Sequence, residues 1–201
     1  MFLSSYSPPC PETFHPAMHQ TTRMKLSRLW IPSVLFLGLS SMGLAAELTP
    51  VVSGVANFHE VDPNVYRGAQ PSLEGFKSLA ALGVKTVVDL RGDDKLPEEQ
   101  KEVEDLGLRY ISVPMSGLTA PTDEQIANIL AVFDAADTAP VFVHCREGKD
   151  RTGTVVACYR ISHDHWANDK ALAEAKGYGM SPFQHPRKKY ILGFESAIAS
   201  R

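Results

Sequence analysis

The chain has 201 residues, 44% of them hydrophobic, which suits one globular domain with a full core. No internal repeat or low-complexity block interrupts it. A formal net charge of −3 excludes a general electrostatic pull toward nucleic acid or an acidic membrane.

The first 46 residues do not read as fold. Met1 to Arg23 is rich in Pro and Ser, as in a disordered extension or a start assigned upstream of Met24. Met24-Lys25-Leu26-Ser27-Arg28 is a charged opening, Leu29 to Leu39 an apolar run, and Gly43-Leu44-Ala45-Ala46 a stretch of small residues. That is the layout of a secretory signal cleaved near Glu47. Pro32 and Ser33 break the run, so no stable membrane span is expected after cleavage. No cysteine follows it directly, so a lipid anchor is not indicated. The expected organisation is therefore residues 1–46 as extension plus signal peptide, then 47–201 as a single domain, exported to the periplasm or secreted.

In the exported part, Asn57 to Gln70 reads as two short strands about a turn at Asp62-Pro63-Asn64. Ser72 is placed to cap a helix whose buried side is Leu73, Phe76, Leu79, Ala80 and Leu82, ended by Gly83. Val84 to Leu90 is too apolar for an exposed edge strand, and Arg91-Gly92-Asp93-Asp94 is the loop at its end. Pro97 to Leu106 is a short acidic helix, and Leu108 to Val113 the next strand. Pro114 to Pro121 is a loop, followed by a helix capped by Thr122 with Ile126, Ile129, Leu130 and Phe133 at helical spacing. After Tyr159 the chain is helical again over Asn168 to Lys176 and Arg187 to Ala199.

The informative stretch is Val141 to Tyr159. Val141-Phe142-Val143 has the character of a buried strand. His144, Cys145 and the polar loop Arg146-Glu147-Gly148-Lys149-Asp150 lead to Arg151, then Thr152-Gly153 and a second apolar run. A strand, a tight loop and a helix N-terminus form an anion cradle, because loop amides point inward and the helix dipole adds positive charge. Arg146, Lys149 and Arg151 put three cations within six residues. The environment that holds a phosphate also favours a thiolate at Cys145, and a thiolate beside a phosphate ester is a nucleophile. Arg151 can fork two N–H groups onto the equatorial phosphate oxygens. The loop supplies the positive charge, so no metal or other cofactor is needed. A nucleotide-binding loop fails because Asp150 stands where Ser or Thr is required. A zinc site fails because His144-Cys145 lacks a second ligand pair at usable spacing.

His-Cys-x5-Arg-Thr-Gly, here His144 to Gly153, resembles the cysteine-dependent phosphatase superfamily of tyrosine, dual-specificity and phosphoinositide phosphatases. Gly148-Lys149-Asp150 is similar to the loop of bacterial secreted tyrosine and lipid phosphatases. Val65 to Pro71 and Val87 to Arg91 are similar to bacterial dual-specificity-like members. The resemblance implies an α/β fold, a central mixed sheet flanked by helices, and phosphomonoester hydrolysis through a phosphocysteine. It assigns Cys145 and Arg151 to catalysis, with Arg146, Glu147, Gly148, Lys149, Thr152 and Gly153 around the phosphate. Thr152 is expected to donate its hydroxyl to the sulfur, and His144 to order the loop. Arg91 and Arg67 are possible accessory contacts; for each, a structural ion pair is the rival reading.

Many relatives carry their general acid on the loop matching Pro114 to Pro121, which here has no carboxylate. Asp123 follows it, in a helix first turn where capping is the simpler role. Asp150, beside Arg151, is the better placed acid, and bacterial phosphatases with Gly-Lys-Asp-Arg are thought to use it. The substrate stays open between phosphorylated proteins and phosphoinositides or inositol phosphates, since no aromatic recognition loop is apparent. Rhodanese-type sulfur transfer is a rival disfavoured by the five-residue spacing, Arg151 and Thr152. An inactive phosphate-binding module is disfavoured by the intact Cys145–Arg151 pair. Cys158 lies two turns along the following helix, in the core, while Cys145 faces the cradle, so a disulfide between them is not expected. The oligomeric state is left open.

Overall fold

A computed structural model describes residues 52–92 and 94–195. The expected leader and the last residues of the expected C-terminal helix lie outside that range. Among the described residues are strands β1 (His59–Asp62), β2 (Val65–Ala69), β3 (Thr86–Arg91), β4 (Arg109–Met115) and β5 (Val141–Cys145). Helices are α1 (Leu73–Ala81), α2 (Glu99–Asp105), α3 (Asp123–Asp134), α4 (Asp150–Ser162), α5 (Asn168–Gly177) and α6 (His185–Gly193). The sheet order is β1-β2-β5-β3-β4. β1 runs antiparallel to β2 and the remaining pairs are parallel, so the sheet is mixed, as expected.

Strand alternation sends successive side chains to opposite faces, and each face has its own core. Val65, Val88, Val141 and Val143 meet Ile126 and Ile129 of α3 and Val155 and Cys158 of α4. Tyr66, Val87 and Phe142 meet Phe76 and Leu79 of α1 and Val103 of α2. Helices therefore cover both faces, and β5, buried along its whole length, lies at the centre. A third cluster joins Ala157 and Ile161 of α4 to Ala171 and Ala175 of α5 and Ile191 of α6. That is why α4 is buried nearly all round: it is sandwiched between the sheet and two more helices.

Local signals explain most of the ends. The Ser72 hydroxyl accepts the Gly75 amide, and Thr122 and Gln125 form a reciprocal capping box. Several boundaries differ from the sequence reading. Strand β4, for one, runs on to Met115. Helix α4 begins at Asp150, so Thr152 and Gly153 are already helical. Helix α6 spans His185–Gly193 rather than running from Arg187 to Ala199. The Asn168 side-chain amide donates to the carbonyls of Ile191 and Phe194, both at 2.8 Å, satisfying groups that a helix end leaves unpaired.

Phe142, fully buried, stacks on Phe58 and on His144. Phe142→Ala is expected to cost about 3–5 kcal/mol, read as a lowered midpoint in urea unfolding.

Candidate active site

Strand β5 ends at Cys145 and α4 starts at Asp150, leaving Arg146 to Lys149 as the connecting loop. The carbonyls of this loop are tied outward. Arg146 O accepts the Gln70 amide at 3.3 Å. Glu147 O and Gly148 O accept the Asn57 side-chain amide at 3.4 and 3.1 Å. Gly148 O also accepts Arg67 Nη2 at 2.8 Å, and Lys149 O accepts the Gly153 amide at 2.8 Å. A loop whose carbonyls are engaged elsewhere keeps its N–H groups as the donors available to an anion. Gly148 has φ +67°, and a Cβ there would come within 2.5 Å of the Gly68 carbonyl oxygen. Both its handedness and its contact with β2 require glycine.

Arg67 is fully buried, and its guanidinium lies 4.5 Å from the Tyr178 ring centroid. Burial pushes its pKa down to about 10, so it stays charged at neutral pH. The structure makes Arg67 a brace for the loop through Gly148 O.

Cys145 is 3% exposed and is a free thiol, as is the deeply buried Cys158 two turns along α4. Thr152 is fully buried, and its hydroxyl has no protein partner among the described residues. Arg151 is held by Asp94, with Nη1 and Nη2 each 2.7 Å from one carboxylate oxygen. The Asp94 hydrogen bond, opposed by burial and helped by attraction to Cys145, raises the Arg151 pKa above its ordinary value. The same bond holds the Asp94 carboxyl below the usual range. Arg146, Glu147 and Lys149 expose their side chains at the rim. Lys149 and Glu147 pair at 3.0 Å in solvent, where such a bridge contributes little. Gly153 faces Ala175 and Met180 and so serves helix packing.

Arg91 corrects an expectation. It is buried away from solvent, so the ion-pair reading holds and the accessory contact does not. It is fully buried on the α1–α2 face of the sheet, with Nε 2.9 Å from Asp89 Oδ1 and Nη2 2.6 Å from Glu99 Oε2. Tyr110 donates its hydroxyl to Asp89 at 2.7 Å. Burial works against ionising Asp89, but the bonds from Arg91 and Tyr110 and the nearby His144 prevail and lower its pKa. His144 points to this face too, with Nε2 3.2 Å from Glu99 Oε1, on the side away from Cys145. Asp89, Glu99 and His144 have ligand-type atoms within 4.8 Å of one another. The Arg91 guanidinium already supplies the positive charge that this cluster needs.

A further group of residues carries no local sequence signature. Asp150 Oδ1 accepts the Ser181 amide at 2.8 Å, and its Oδ2 lies 3.4 Å from Gln184 Nε2. The same Gln184 nitrogen donates to Gly117 O at 3.1 Å, on the loop between β4 and α3. Arg187, fully buried in the first turn of α6, donates to Ser116 O on that loop. Gln184 and Arg187 thus tie the acid-free loop and α6 to the first turn of α4. Asp123 is elsewhere: it accepts the Tyr190 hydroxyl at 2.8 Å and lines a groove with Tyr159 and His163 of the far half of α4.

Residues 46–191 match the family described as DSP-PTPase phosphatase fused to NAD+ kinase. The chain belongs to this family. It is 31% identical over 141 residues to the dual specificity protein phosphatase TpbA of Pseudomonas aeruginosa (strain UCBPP-PA14), covering 68% of this chain and 62% of that protein. It is 29% identical over 133 residues to an inositol diphosphatase of Oryza sativa subsp. japonica, covering 61% of this chain and 65% of that one. The chain therefore spans somewhat less than two thirds of the length of these relatives. The crystal structure of P. aeruginosa TpbA superposes with a TM-score of 0.61 at 29% identity, over 70% of this chain and 86% of that one. The catalytic core of the S. cerevisiae PP-IP phosphatase SIW14 gives 0.65 at 22% identity, over 73% and 90%, a likeness of fold.

Two outcomes follow for the ion pairs. Arg91→Met strands two buried carboxylates and is expected to destabilise the domain by about 3–5 kcal/mol in urea unfolding. Asp89 and Asp94 both have folded pKa values below their unfolded ones. Their stabilising contribution is complete above about pH 4 and is lost as pH falls through the lower folded values. Asp94→Asn should flatten the acid limb of a stability-against-pH curve measured by thermal melting.

Proposed function

We propose that the chain is a phosphomonoester hydrolase working through a phosphocysteine. The observation that carries this reading is the loop from Cys145 to Arg151, with its carbonyls tied outward at one end of the central strand and its arginine held in place. The Cys145 thiolate attacks phosphorus, and the P–O ester bond breaks. Its electron pair stays on the leaving oxygen, which takes a proton from Asp150. Water then attacks the phosphocysteine, the S–P bond breaks, and the pair returns to sulfur. The proton lost by the water goes to the Asp150 carboxylate. Loop amides and Arg151 stabilise the phosphoryl oxygens throughout, and the unpartnered Thr152 hydroxyl donates to the sulfur as it leaves.

Both carboxylates accept a neighbour's donor, and Asp150 is preferred to Asp123 for its position: it opens the helix that carries Arg151, directly after the loop, whereas Asp123 lies with Tyr190 beside the far end of α4. The family makes phosphorylated proteins and phosphoinositides or inositol phosphates the substrate classes to test. The arrangement of residues 24–46 supports export through a cleaved signal. Among the described residues no helix is long and apolar enough to cross a membrane.

The test is phosphate release from p-nitrophenyl phosphate, phosphotyrosine peptides, phosphoinositides and inositol phosphates, with thiosulfate-to-cyanide transfer run alongside. Cys145→Ser is expected to abolish hydrolysis. Asp150→Asn should lower kcat by about 10²-fold or more on alkyl phosphates and less on aryl phosphates with good leaving groups. Unchanged rates for Asp150→Asn together with crippled Asp123→Asn would move the acid to Asp123. Sulfur transfer in place of phosphate release would overturn the reading. N-terminal sequencing of protein recovered from the exported fraction should begin close to Glu47.

A further inference from the structure

Beside the far half of α4, a groove of about 950 Å³ lies between α3 and α6. Three helices give it one face each. From α3 come Ala127, Leu130 and Ala131, with Asp123 and Asp134 at the two ends of the same stripe. From α6 and the residue just past it come Pro186, Tyr190, Gly193 and Phe194. Tyr159 and His163 of α4 form the floor. Every set repeats at three- and four-residue intervals, so each wall is one side of a helix.

The walls are shaped without an occupant. The Tyr159 and His163 rings stack with centroids 4.8 Å apart, and those of Tyr190 and Phe194 lie 6.0 Å apart. The Tyr190 hydroxyl holds the Asp123 carboxylate at 2.8 Å. On α3, Ile126, Ile129 and Phe133 already serve the core, while Ala127 and Ala131 stand exposed. A second apolar stripe on the solvent side of a helix has no task in the domain's own core.

The shape and charge of the groove specify what fits. Ala127, Ala131 and Gly193 are small enough to let another backbone come close. Asp123 and Asp134 stand about 16 Å apart along the axis of α3, or three turns. With Glu195 they put three carboxylates on the groove against the single amine of Lys189.

We propose that this groove docks a basic amphipathic helix of a partner protein, about three turns long, with its apolar stripe between α3 and α6 and Lys or Arg at its ends facing Asp123 and Asp134. Tyr159 is about 13 Å along α4 from Asp150, so this docking is separate from events in the cradle and does not depend on the phosphatase reading.

The probe is a fluorescein-labelled synthetic helix of leucine and lysine, about twelve residues long, titrated with the full chain by fluorescence anisotropy. A counterpart with glutamate for lysine is the control. The lysine peptide is expected to bind and the glutamate peptide not to. Ala131→Arg puts bulk and like charge into the groove from an exposed position and should weaken binding about tenfold or more. Asp134→Asn should weaken it about threefold at low salt, an effect that fades as salt is added. Thermal melts check that both variants are folded, and saturating inorganic phosphate should leave the affinity unchanged. Binding indifferent to Ala131→Arg overturns the site, as does displacement of the peptide by phosphate. Binding that tightens when residues 196–201 are deleted assigns the groove to the chain's own end. A dimer seen by sedimentation and lost in Ala131→Arg assigns it to a second copy. Either result overturns the partner helix.

Discussion

A loop that offers its amides to an anion must first dispose of its carbonyls. That constraint organises this molecule. Asn57, Arg67, Gln70 and Gly153 between them take every carbonyl from Arg146 to Lys149. Three of those four donors come from the strands and turns before α1, which explains why β2 is seated directly against β5. Arg67 is fully buried with a tyrosine over it because its task is mechanical: a solvated lysine at that place would not hold Gly148 O in one position.

The opposite side of the sheet carries a second buried charged group. Arg91 lies between Asp89 and Glu99, with Tyr110 and His144 at its margins. Burying so many ionisable groups is costly unless each is matched. Their reward is position: the C-terminal ends of β3 and β5 are pinned to α2 immediately below the cradle. His144 precedes Cys145 in the chain, and alternation along β5 sends the two to opposite faces. One strand end thus holds a structural residue and the proposed nucleophile back to back.

The cradle was legible in the sequence because its determinants are local. Spacing, glycine and the switch from strand to helix all lie within Val141 to Tyr159. Arg91 stayed open between a ligand contact and an ion pair for the converse reason. A strand-terminal arginine at a functional end is compatible with a ligand contact, and only the packing of α2 brings Glu99 to it. Asp94, Gln184 and Arg187 could not be singled out, since each acquires its meaning from a partner at least 34 residues away. In the basic run Arg187-Lys188-Lys189 the first member is interior while Lys189 is exposed. Charge alone does not report which residue of a run faces inward.

The Asp94–Arg151 bridge has one more implication. A guanidinium has two usable edges, and Asp94 grips the one made by the terminal nitrogens. Under the proposed mechanism the side edge, with the Nε–H, is the one that meets the phosphoryl oxygens. Asp94 fixes the guanidinium without any ligand. The freedom of a long side chain, about 2 kcal/mol for an arginine, is surrendered once, during folding, and not again at each encounter.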